Sequence, residues 1–104
     1  MIRVKDDSVQ IGALQPAMYF ALRVAEAVYE KYRTELVITS GNDAHHSLTS
    51  LHYAGAAVDL RTNTLPTDQH ARDIAGELGR ALGPDFDVIF EGDHIHLELQ
   101  PRRR

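Results

Sequence analysis

The sequence predicts a small α+β domain in which an antiparallel sheet carries helices on one side. Three observations lead there: segments with apolar residues at helical spacing, several short runs that alternate or are β-branched, and a mixed order of the two along the chain. At 104 residues the chain can bury one modest core but not two, so residues 1–104 are expected to form a single domain.

Residues 2–11 hold a short apolar alternation, Ile2, Val4, Val9 and Ile11, broken by the turn-like Asp6-Asp7-Ser8, and read as a small hairpin or an irregular arm. From Gln15 to Tyr32 the period becomes helical. Pro16 suits a first helical turn, and Met18, Leu22, Ala25, Val28, Tyr29 and Tyr32 recur on one face. Leu36-Val37-Ile38-Thr39 reads as a strand that ends in the turn formers Ser40-Gly41-Asn42-Asp43, and a polar loop follows from Ala44 to Ser50. Ala56 to Leu60 reads as a second strand. Asn63, Thr64 and Pro66 mark a turn, Thr67 or Asp68 caps a second amphipathic helix carrying Ile74, Leu78 and Leu82, and Gly83-Pro84 stops it. The chain closes on a hairpin candidate: Phe86, Val88 and Phe90, then Ile95, Leu97 and Leu99, joined around Glu91-Gly92-Asp93.

Composition narrows the function. The formal net charge of -4 argues against a general grip on nucleic acid, which relies on clustered Lys and Arg, and the one basic run, Arg102-Arg103-Arg104, reads as a solvated tail. No run approaches the roughly 18 apolar residues of a membrane-spanning helix, and no N-terminal stretch resembles a signal peptide. The chain is therefore expected to be made in the cytoplasm, without an export address of its own, and to work as a monomer without nucleic-acid or membrane partners. With no cysteine, any metal must be held by His, Asp and Glu, and six histidines make that possible.

One carboxylate stands out. Asp59 sits inside the apolar run Ala56-Ala57-Val58-Asp59-Leu60, seven residues after His52 and four after Gly55. On a half-buried segment it costs several kcal/mol unless it is paired, hydrogen-bonded or metal-bound. A second constellation is Glu91-Gly92-Asp93-His94-Ile95-His96-Leu97-Glu98-Leu99. If Ile95, Leu97 and Leu99 face the core, period-two alternation puts His94, His96 and Glu98 together on the other face. That face is either a solvated polar surface or a place where imidazoles meet a metal. A catalytic zinc takes three protein ligands and leaves one position open, and His52, Asp59 and one histidine of the final hairpin would meet that count.

These residues resemble a known family. Ser50-Leu51-His52-Tyr53-Ala54-Gly55-Ala56-Ala57-Val58-Asp59, of the form SxHxxGxAxD, followed by Asp93-His94-Ile95-His96, is similar to the zinc peptidases of the D-alanyl-D-alanine carboxypeptidase group. That group includes D-Ala-D-Ala dipeptidases and phage L-alanyl-D-glutamate endolysins, and shares its fold with the Hedgehog signalling domain. The resemblance spans roughly residues 36–99. It implies a Zn2+ cofactor held by His52, Asp59 and His96, with Asp93 as the general base. It further implies that His94 lies close to the metal and stabilises an oxyanion or orients substrate, and that Ser50 hydrogen-bonds behind the ligands. The implied substrate is a peptidoglycan stem peptide, so the target lies in the cell wall and release or export would follow another route. A zinc-bearing, non-catalytic binding or structural domain of the same fold is the alternative.

Some positions stay open. On a regular strand Asp93 would face away from His94 and His96, so it must lie in the turn, and Glu91 beside that turn is the competing base. Gly55 is expected to let the chain turn tightly between ligands. Many relatives carry Ser-Gly-Tyr-Arg where this chain has Ser40-Gly41-Asn42-Asp43, and that departure favours an endopeptidase over a carboxypeptidase. Arg61 is a possible substitute for the missing arginine or a solvated side chain. His45 and His46 either touch substrate or are exposed, Tyr53 bounds the pocket or packs in the core, and His70 and Glu98 read as surface groups.

Overall fold

The computed structural model describes residues 2–41 and 55–101. In chain order the elements are β1 (Ile2–Val4), α1 (Pro16–Lys31), β2 (Leu36–Ser40), β3 (Ala57–Arg61), α2 (Asp68–Leu82), β4 (Phe86–Phe90) and β5 (His94–Leu99). The strands form one sheet in the order β1-β2-β3-β5-β4, with β3 in the middle. The α+β class therefore holds, with one correction. Residues 2–11 make no hairpin: Ile2–Val4 pairs parallel to β2, so the sheet is mixed at that edge and antiparallel elsewhere.

Local chemistry accounts for the helix limits. Pro16 occupies the first turn of α1, where its missing N–H costs nothing, and Gln15 N–H donates to the Gly55 carbonyl at 2.9 Å, tying the helix start to the segment that leads into β3. The hydroxyl of Thr67 accepts from His70 N–H at 3.2 Å and caps α2, and Gly83 ends that helix. His70 is less exposed than its polarity suggests. Its ring meets Tyr32 edge-on at 6.1 Å, and its Nδ1 lies 2.7 Å from the Thr67 hydroxyl.

Both helices lie on one face of the sheet. Met18, Leu22, Ala25 and Tyr29 from α1 and Ile74 and Leu78 from α2 pack with Leu36, Ile38, Val58, Leu60, Ile95 and Leu97 in a single apolar cluster. The Tyr29 hydroxyl donates to the Arg61 carbonyl at 3.0 Å, which satisfies the one polar atom of a fully buried ring. Among the described residues, no helix is long and apolar enough to cross a membrane.

Candidate functional site

Strand alternation sends the odd-numbered residues of β3 and β4 and the even-numbered residues of β5 to the face away from the helices. The register then sets three cross-strand rows there. Arg61 lies opposite His94; His96 stands between Asp59 on β3 and Ile89 on β4, and Glu98 between Ala57 on β3 and Asp87 on β4. Directly opposed side chains in an antiparallel pair have Cβ atoms roughly 4.5–5.5 Å apart, so Asp59 and His96 must touch. They do: His96 Nδ1 donates to Asp59 Oδ1 at 3.0 Å. The β2–β3 register shifts between Ile38 and Ser40, beside Asp59, an irregularity of the kind found next to functional sites.

The carboxylate of Asp59 thus has its compensation. Besides His96, the Nε2 of His94 lies 3.6 Å from the same oxygen. The other nitrogen of His96, Nε2, donates to Glu98 Oε1 at 2.7 Å. An imidazole between two carboxylates holds both protons readily, so the hydrogen bond to Asp59, helped by Glu98 and opposed by burial, raises the pKa of His96 to about 9. Burial is the largest single influence on His94 and pulls its pKa down. The hydrogen bond to Asp93 and the charges of Asp59, Asp93 and Glu91 together outweigh it, and the net direction is up.

The β4–β5 turn decides where the two competing carboxylates go. Glu91 N–H donates to the His94 carbonyl at 2.8 Å, which leaves Gly92 and Asp93 as a two-residue loop. Gly92 has φ 93°, in the region that favours glycine, and Asp93 is not in the left-handed region. Asp93 accordingly lies in the turn, before pairing begins. Its side chain is 89% exposed and takes a hydrogen bond from His94 Nδ1 at 2.6 Å, on the ring edge away from Asp59. Glu91 Oε1 instead lies 3.3 Å from His94 Nε2 and 4.0 Å from His96 Nδ1, on the Asp59 side of both rings.

Of the residues singled out by sequence, Asp59, Asp93, His94 and His96 are brought together between the middle of the β3–β5 ladder and the adjoining β4–β5 turn. His52, Ser50, Tyr53 and His45, with His46, Asn42 and Asp43, lie outside the described residues. Gly55 has φ 73°, the tight turn expected just ahead of β3. One group carries more than the sequence reading gave it, and the competing base, Glu91, lies close by. Glu98 is no surface carboxylate, since its side chain is only 14% exposed and holds His96. Glu91 comes within ion-pair distance of both rings. Parity places Glu98 on this face but says nothing of how deeply its side chain lies.

The donor types fit zinc as far as they are described: a carboxylate oxygen and an imidazole nitrogen on adjacent strands, side by side and half-buried. Among the described residues, no group of three or more His, Asp or Glu side chains is arranged to hold a metal ion, and the expected third donor, His52, is not among them. Comparison with known proteins adds no relative: no family model matches the chain, and no curated protein matches it.

Proposed function

We propose that the chain is a zinc-dependent peptidase that hydrolyses peptide bonds in peptidoglycan stem peptides, with His52, Asp59 and His96 as the ligands. The observation that carries this reading is the contact of Asp59 with His96, two residues 37 apart in sequence and directly opposed in register, in the midst of His94, Glu91 and Asp93. It supports the reading because a half-buried carboxylate beside paired imidazoles is the donor set that the two sequence motifs call for. Zinc bound there would polarise the scissile carbonyl and bring the pKa of a water to about 7.

The chain's own residues supply the proton traffic. A carboxylate at the turn accepts the proton from the attacking water and passes it to the leaving amine, and the motif spacing assigns that work to Asp93. Glu91 is the competitor, because its carboxylate lies on the Asp59 side of the two rings. His94, held by Asp93 through Nδ1, keeps Nε2 toward Asp59 and can donate there to a developing oxyanion. The missing Ser-Gly-Tyr-Arg word favours cleavage within the peptide over release of a terminal residue.

Incubating the zinc-loaded chain with defined muropeptides and weighing the fragments tests the activity and identifies the bond. Loss of cleavage in Asp93→Asn with zinc retained supports the assignment. A wild-type chain that binds zinc and cleaves nothing would make it a non-catalytic zinc domain.

A further inference from the structure

We infer that Glu98 is the positioning residue for His96, receiving the Nε2–H so that Nδ1 is presented beside Asp59. The inference rests on the metal-site reading above. An imidazole can offer only one nitrogen to a metal, and the other then carries a proton that needs an acceptor, commonly a carboxylate, which sets both tautomer and ring orientation. His96 has such an acceptor at 2.7 Å on Nε2, while Nδ1 faces Asp59 Oδ1 at 3.0 Å.

Glu98 is built for that place. Its carboxylate is as sheltered as the pair it supports, with side-chain exposure of 14% against 17% for His96 and 19% for Asp59. A group so far withdrawn from water needs partners for both oxygens. His96 engages Oε1, and Gln100 Nε2 donates to Oε2 at 2.5 Å. In register Glu98 stands between Ala57 on β3 and Asp87 on β4. Strand parity makes the arrangement rigid: positions 96 and 98 share a face two residues apart, so the contact needs no loop to hold it.

The test compares zinc affinity, by competition with a chromophoric chelator, in wild type, Glu98→Ala and Glu98→Gln. Loss of an outer-shell carboxylate typically weakens metal binding about 10–100-fold, and that loss is expected for Glu98→Ala. Glu98→Gln should bind more tightly than Glu98→Ala, because the amide oxygen still accepts. Long-range 1H–15N spectra of the zinc-loaded protein supply a readout that a purely structural role would not move. A slowly exchanging Nε2 proton on His96 is expected in wild type, and a rapidly exchanging one in Glu98→Ala. Should Glu98→Ala fail to fold, the near-isosteric Glu98→Gln against wild type decides by both measurements. Unchanged affinity and unchanged exchange in the variants overturn the inference and leave the metal site standing. Failure of the wild-type chain to take up zinc overturns both.

Discussion

The two faces of the same five strands are built for opposite purposes. Toward the helices, Leu36, Ile38, Val58, Leu60, Ile95 and Leu97 are buried in one apolar cluster. On the reverse face, the same β3 and β5 display Asp59, His94, His96 and Glu98, bound to one another by hydrogen bonds and ion pairs. Asp59 lies between the core residues Val58 and Leu60, and His96 between Ile95 and Leu97, so a single register positions both sets. The core face holds the ladder in register, which lets the other face keep charges at fixed distances.

Substitutions can separate the two roles. The largest loss of stability is expected on the core face: Leu60→Ala should cost about 2–5 kcal/mol, readable by denaturant unfolding. In a domain of this size that corresponds to a fall in melting temperature of roughly 10 °C or more. Asp59→Asn should leave the fold nearly intact yet remove zinc binding, a loss beyond the roughly 10–100-fold expected for an outer-shell change. Equal destabilisation by the two variants would contradict the division of labour. Next comes the turn. Asp93→Asn is expected to lower kcat by about 10²–10⁴-fold with zinc retained, and Glu91→Gln by less; the opposite order would move the base to Glu91.

A smaller effect should appear in the pH dependence of the chelator-treated protein. The folded pKa of His96 is raised to about 9 from an unfolded value of 6.5. Its stabilising contribution is thus fully present below pH 6.5 and is lost as pH rises through 9. Melting temperatures followed across that window should fall, and His96→Gln should flatten the slope. Least affected should be Ile89→Ala. Ile89 is 51% exposed beside His96, and a surface truncation there should stay within about 0.5 kcal/mol.

Much of the fold is legible because periodicity is local. The spacing of Met18, Leu22, Ala25 and Tyr29 predicts α1, and the alternation in Ile95, Leu97 and Leu99 predicts both β5 and the shared face of His94, His96 and Glu98. The parallel edge is different. Three residues, Ile2–Val4, carry too little pattern to announce a strand, and their partner Leu36 lies beyond an entire helix. The direction of Glu91 and Asp93 is likewise set by the conformation of a two-residue loop, which side-chain alternation does not specify. Glu98 was visible as a face and hidden as an environment, since alternation fixes the side of the sheet but not the depth of burial.

The pairing of Asp59 with His96 has a mechanical consequence. A ligand gripped by both would act as a rivet through two adjoining strands, joined already by their backbones. Occupancy and cohesion would then rise together, and amide exchange at Leu60 and Leu97, flanking the fastening, would slow as the rivet closes.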